Sequence, residues 1–194
     1  MSSAIPVRRI AVIGNAGTGK STLAREIGRM LAIEVFHLDA MLWRPAWRMV
    51  PEAEFARRHA ELIGRPSWVI DGLGHPATLA ARIAAADAVI FTRYGLWRCY
   101  WWSLKRELRP SRAAGRPAGC AMLPALGRLV RAIRLVQRET LPEIDRLLAR
   151  QPPGKIVRVL GSPRALPRLI EEVGGWRGEI GLSGSGEAMV ASPP

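Results

Sequence analysis

Short apolar runs alternating with helix-periodic stretches predict an α/β fold, a five-stranded parallel sheet with helices on both faces. Three observations carry this reading. Apolar segments recur at about residues 10–13, 33–38, 68–72, 88–92 and 156–160. The intervals between them are long enough to hold crossover helices. The first run ends in Gly14-Asn15-Ala16-Gly17-Thr18-Gly19-Lys20-Ser21, a glycine-rich turn that opens a helix.

Ile10-Ala11-Val12-Ile13 has the pattern of a buried strand and stops at Gly14. The loop reads G-x-x-x-x-G-K-S. Successive backbone N–H groups must wrap a phosphate oxygen there, which glycine permits. The helix that follows turns its unpaired amides and its dipole toward the anion. Gly14, Asn15, Ala16, Gly17, Thr18, Gly19, Lys20, Ser21 and Thr22 therefore form the candidate cradle for a nucleotide, with ATP and Mg²⁺ as the implied cofactors. Lys20 would reach the β/γ-phosphates and the Ser21 hydroxyl would hold the metal. Roughly 0.002 chance matches are expected in a chain of this composition. The chain holds three lysines against 26 arginines, yet position 20 is Lys, the compact charge that this role needs.

The alternation over 33–38 reads as the second strand, running into His37-Leu38-Asp39. Residues 41–48 are aromatic and basic; in a helix, Trp43 would align with Trp47 and Arg44 with Arg48. Pro51 opens a helix with Glu52 and Glu54 at its positive end, and Gly64-Arg65-Pro66 stops it. Trp68-Val69-Ile70-Asp71-Gly72 is the third strand, closed by an acid. A short alanine-rich helix over 78–86 precedes the fourth strand. Residues 94–109 read as a helix with Leu96, Trp97, Tyr100, Trp101 and Leu104 on its apolar side. Residues 110–124 read as a mobile loop rich in Gly, Pro, Ser and Arg. A helix kinked near Pro142 spans 126–150, the fifth strand follows, and Ser162-Pro163 caps a last helix. From Arg177 the Gly/Ser/Pro-rich composition predicts a disordered tail over 177–194, leaving 1–176 as one domain. Right-handed crossovers place Gly14, Asp39 and Asp71 at the carboxyl edge of the sheet, where ligands bind.

The 194 residues suit one domain, and the net charge of +13 points to polyanionic partners. Two cysteines, Cys99 and Cys120, give neither a metal spacing nor a disulfide framework, so a reduced, cytoplasmic setting is expected. No run approaches the ~18–20 apolar residues that a membrane span needs, and no membrane partner is expected.

The chain resembles the adenylate-kinase-like P-loop proteins, and within them the DNA topology modulation (FlaR-type) group. The resemblance rests on residues 14–21, on His37-Leu38-Asp39-Ala40-Met41-Leu42-Trp43-Arg44-Pro45-Ala46-Trp47, on Trp68-Val69-Ile70-Asp71-Gly72, on Leu96-Trp97-Arg98-Cys99 and on Val159-Leu160-Gly161-Ser162-Pro163-Arg164. It covers about residues 8–173. It implies a nucleoside/nucleotide-kinase-like fold with an acceptor side, an Arg-rich lid at about 105–124, and adenine contacts at 161–164. Three departures stand out. Leu73-Gly74 replaces the family's Asn-Tyr after Asp-Gly, His75-Pro76 stands where adenylate kinases place an arginine, and Thr92-Arg93 stands where an acid usually ends the fourth strand.

Each remaining candidate has a functional and a structural reading. Asp71 could hold a metal-bound water and face the acceptor, or cap the Gly72–Gly74 loop. Asp39 could take the proton of an acceptor hydroxyl, as the corresponding acid does in related kinases, or serve as an N-cap or a partner of Arg44. His37 could meet the acceptor, or be a satisfied core histidine. Trp43, Trp47, Arg44 and Arg48 could stack on and grip an acceptor, or pack and solvate. Arg98, Lys105, Arg106 and Arg109 could stabilise transferring phosphoryl oxygens, with Arg106 and Arg109 favoured as the catalytic pair, or simply be solvated. Residues 93–150 hold thirteen cations against four acids. There Arg128, Arg131, Arg134 and Arg138 form a stripe opposite Leu129, Val130 and Ile133 that could track a nucleic-acid backbone. The expected function is a Mg²⁺-dependent kinase or ATPase acting on a nucleotide or small hydroxylated acceptor. The alternatives are a DNA-binding NTPase that modulates topology and a nucleotide-binding module without turnover.

Overall fold

In a computed structural model, residues 6–44, 48–108 and 123–176 are described, the side chains of 106–108 and 123–126 excepted. Five strands pair in parallel in the order β2 (Val35–His37), β5 (Trp68–Asp71), β1 (Arg9–Gly14), β6 (Ala88–Thr92), β7 (Ile156–Leu160). The expected sheet is the observed one. β1, β5 and β6 are apolar along almost their whole length because both faces are covered. Ile10 and Val12 of β1 pack toward α1 (Lys20–Leu31) and α8 (Leu166–Gly174). Ala11 and Ile13 pack toward α3 (Glu52–Ile63), α4 (Leu79–Ala85) and α7 (Leu141–Ala149). Parallel pairing brings the strand ends to one edge. Val12, Asp71 and His37 sit side by side in register, as do Gly14, Thr92 and Leu160.

Several local expectations need correction. The second strand ends at His37, and Leu38–Leu42 forms a helix, α2. Asp39 is therefore in the first turn of α2 and not at the end of a strand. Trp43–Arg44 (β3) and Arg48–Met49 (β4) pair antiparallel, with Trp43 opposite Met49 and Arg44 opposite Arg48. Trp and Arg at alternating positions suit a hairpin as well as a helix; Trp47 lies outside the described residues. The stretch after residue 93 forms α5 (Leu96–Leu108) and α6 (Leu123–Leu135). Of the expected loop over 110–124 and lid at about 105–124, residues 105–108 belong to α5 and 123–124 open α6, while 109–122 lie outside the described residues. Pro124 lies in the first turn of α6, where a missing N–H costs nothing. The kink precedes Pro142: Val136–Thr140 winds as a π turn, with the Leu141 N–H donating to the Val136 carbonyl five residues back. Proline supplies no N–H, so the ladder slips one residue before α7 resumes. A 3₁₀ turn at Pro163–Ala165 leads into α8, and Pro163 and Pro167 each occupy a first turn.

Candidate active site

β1 delivers the chain to the carboxyl edge at Gly14, whose φ of 144° and position against Thr92 exclude a side chain; a Cβ would lie 2.2 Å from Thr92 Oγ1. Gly17 and Gly19 also take positive φ, of 73° and 80°, and Gly19 caps α1. The bonds that start α1 run from Thr22 and Leu23 to the Gly19 carbonyl. The helix dipole and its first amides thus face the loop. Lys20 Nζ donates to the Asn15 carbonyl at 2.7 Å. Thr18 Oγ1 donates to the same carbonyl at 2.9 Å and lies 2.8 Å from Thr92 Oγ1. Thr92 Oγ1 in turn donates to the Ile13 carbonyl at 3.2 Å. The hydroxyls of Thr92 and Thr18 and the Lys20 ammonium thus brace the loop through the carbonyls of Ile13 and Asn15. Asn15 is buried. Its Nδ2 donates to the Ile133 carbonyl of α6 at 2.9 Å, and its Oδ1 accepts the Ala16 N–H at 2.8 Å. α5 lies across the loop, where a Cβ on Gly17 would meet the Cys99 carbonyl at 2.5 Å and Ser103 Oγ at 2.6 Å.

Asp71 ends β5 beside this loop and is 4% exposed. His37 Nδ1 lies 2.9 Å from Asp71 Oδ2, so His37 is the partner of this carboxylate. Asp71 Oδ1 is buried and has no hydrogen-bond partner of normal length among the described residues. Burial pushes the Asp71 pKa up, but the bond from His37, the Lys20 charge and the nearby Ser21 hydroxyl outweigh it, so the net shift is down and the group is a carboxylate. A buried, ionised carboxylate oxygen beside the Ser21 hydroxyl is the oxygen donor set a hard divalent cation takes. Ser21 and Asp71 therefore fit a Mg²⁺ ion.

Asp39 is exposed, and its Oδ1 lies 3.4 Å from where a Cβ on Gly72 would stand. The cap residue of α2 is His37, and Arg44 bonds Glu54 at 2.6 Å, so Asp39 takes up neither structural role. Glu54 also pairs with Arg58 at 2.8 Å, which ties Arg44 into a surface ion network. Arg98 and Lys105 are exposed on α5. The side chain of Arg106 and the whole of Arg109 lie outside the described residues. Arg128, Arg131, Arg134 and Arg138 are all exposed, without an ion pair among the described residues. Ile133 is buried behind them, but Val130 is 40% exposed, so the opposite face is only partly core.

Sequence reasoning missed Arg82. It is fully buried in α4, and Nη2 donates to the carbonyls of Gly72 and Leu73 at 3.1 and 2.9 Å. Its Nη1 lies 3.5 Å from Nε2 of the buried His59. Burial, then the charge of Arg82, lowers the His59 pKa to about 4, so the ring is neutral and its Nε2 can accept. The one available signal was position: Leu79, Arg82 and Ile83 follow the i, i+3, i+4 spacing of a buried stripe.

No family model matches the chain, and no curated protein does. Solved structures do match. Shikimate kinase from Acinetobacter baumannii, in complex with shikimate, is 15% identical, with a TM-score of 0.55 over 86% of this chain and 90% of its own. A gluconokinase from Sinorhizobium meliloti is 14% identical, with a TM-score of 0.51 over 87% and 90%. Shikimate kinase from Bacteroides thetaiotaomicron is 16% identical, with a TM-score of 0.50 over 86% and 96%. At these identities the likeness is one of fold: the chain has the fold of P-loop small-molecule kinases. No helix among the described residues is long and apolar enough to cross a membrane.

Proposed function

We propose that the protein is a Mg²⁺-dependent phosphotransferase that moves the γ-phosphoryl group of ATP to a hydroxyl of a small acceptor. The observation that carries this reading is the pairing of the phosphate loop with Asp71, an ionised buried carboxylate with one unpartnered oxygen. The loop amides and Lys20 grip the phosphates. Ser21 and Asp71 would hold the metal, which would supply positive charge against the phosphate oxygens. Asp39, next to Gly72, accepts the proton as the acceptor oxygen bonds to phosphorus and the bond to the ADP oxygen breaks. His37 keeps Asp71 oriented. Arg44, released from Glu54, reaches toward the acceptor, and Arg106 and Arg109 stabilise the equatorial oxygens. The matched kinases act on small hydroxylated molecules, which favours that acceptor class over a mononucleotide. A reduced cytoplasmic setting fits the same reading.

The test is labelled ATP offered with shikimate, gluconate, adenosine and AMP, run beside Lys20→Ala. Transfer to at least one acceptor, lost in the variant, is expected. Nucleotide binding without transfer would make the protein a binding module; transfer that survives the substitution would refute the loop's role.

A second reading has one observation in its favour. Arg131, Arg134 and Arg138 share one exposed face of α6 and the π turn, beside Val130, Leu135 and Glu139, and such a row of cations suits a phosphodiester backbone. The resemblance to topology modulation proteins points the same way, on sequence motifs alone. Titration with duplex DNA at rising salt separates the readings. Backbone binding gives a steep loss of affinity with salt and sensitivity to ATP; a flat, weak response removes the DNA reading.

A further inference from the structure

We propose that Arg82 is a positioning residue for the acceptor side of the site. It clamps the loop after β5 so that the backbone amides of Leu73 and Gly74 are presented to an electron-rich oxygen of the acceptor. The inference rests on the kinase reading above.

Arg82 has no exposed surface, and one nitrogen, Nη2, holds two successive carbonyls, those of Gly72 and Leu73. A trans peptide is planar with its N–H opposite its C=O, and no bond among the described residues is cis. Pinning the Gly72 carbonyl therefore turns the Leu73 N–H away from the guanidinium, and pinning the Leu73 carbonyl turns the Gly74 N–H away too. The Gly72 N–H is spent on the Val12 carbonyl of β1, which anchors the loop to the sheet. The loop also fixes α2. Gly72 (φ 110°) and Gly74 (φ 63°) bring the backbone against Leu38, Asp39 and Phe55, so close that a Cβ on Gly74 would lie 2.9 Å from Leu38 and Phe55. One buried side chain thus sets the pose of the amides and of Asp39 together.

Burying a guanidinium away from solvent is costly, and a fold keeps one only where its partners are fixed. Here the compensation is two carbonyls, the neutral ring of His59 and the nearby negative charge of Asp71. A purely packing role would be met by an aliphatic side chain at the same stripe position. The dipoles held by Arg82 belong to the one loop that follows the metal-side carboxylate.

The experiment compares wild type with Arg82→Met and Arg82→Lys, using ATP and whichever of shikimate, gluconate, adenosine or AMP is phosphorylated. A KM for that acceptor raised at least tenfold in Arg82→Met, with the Mg·ATP dissociation constant within twofold of wild type and partial recovery in Arg82→Lys, is expected. An unchanged acceptor KM, or equal losses for acceptor and ATP, overturns the positioning role while leaving the kinase reading intact. A wild type inert toward all four acceptors overturns both. Should the variants fail to fold, backbone hydrogen exchange on the wild type decides. The acceptor should slow exchange at Leu73 and Gly74, and no protection there refutes the proposal.

Discussion

Lys20, at the start of α1, and Asp71, at the end of β5, lie close enough for their opposite charges to interact. Removing the Lys20 ammonium leaves the loop amides alone with a polyphosphate. Lys20→Ala is expected to weaken Mg·ATP binding at least tenfold, read by calorimetry, with little change in thermal stability because its bond to Asn15 is at the rim of the fold. Asp71→Asn keeps the shape and removes the charge. The Mg²⁺ concentration for half-maximal activity should rise by roughly tenfold or more, in line with the loss of an outer metal partner; an unchanged Mg²⁺ requirement would remove Asp71 from the metal site. At this scale the sequence was legible where chemistry dictates residue type. The loop, Ser21 and the acid closing the third strand were all visible as a pattern. His37 was not placed, because its bond to Asp71 depends on a strand register that no local pattern records. Arg82 was hidden for a different reason. In an alanine-rich helix a lone arginine reads as solvated, and only the tertiary fold turns it inward.

At the scale of elements, glycine positions measure how closely the pieces approach. Gly17 touches α5, so Gly17→Ala places a methyl into Cys99 and Ser103 at a strained φ. A loss of about 2–3 kcal/mol in a denaturant titration is expected, together with loss of nucleotide binding. A variant as stable as wild type would mean that α5 yields easily. The five strands and most helices could be read from period and punctuation, since buried parallel strands are nearly continuous apolar runs. What could not be read was the short-range choice among turn types. α2 and the β3–β4 hairpin occupy a stretch whose Trp and Arg spacing suits a helix and a hairpin alike, and the outcome is set by packing on Phe55 and Val50 in the core. The π turn is the converse case: Pro142 announced a break, and the ladder shows which carbonyls absorb it.

For the molecule as a whole, buried His59 links stability to acidity. Its folded pKa, about 4, lies below the 6.5 of the free side chain. The unfolded chain therefore binds the proton first. The stabilising contribution is complete above pH 6.5 and is lost as pH falls toward 4, amounting to about 3 kcal/mol at most. Unfolding curves between pH 4 and 6.5 should show that slope, and His59→Gln should flatten it. A slope unchanged by the substitution would assign it to carboxylates instead.

Asn15 belongs to the proposed phosphate cradle, yet its amide is moored on the other side to the carbonyl of Ile133, one turn before the helical ladder slips register. A rigid tether between a ligand cradle and an irregular helix end works in both directions. Whatever tilts α6 must drag the cradle with it, and a nucleotide seated in the cradle must stiffen α6. Occupancy at the sheet edge would then be felt along the arginine-bearing outer surface of α6.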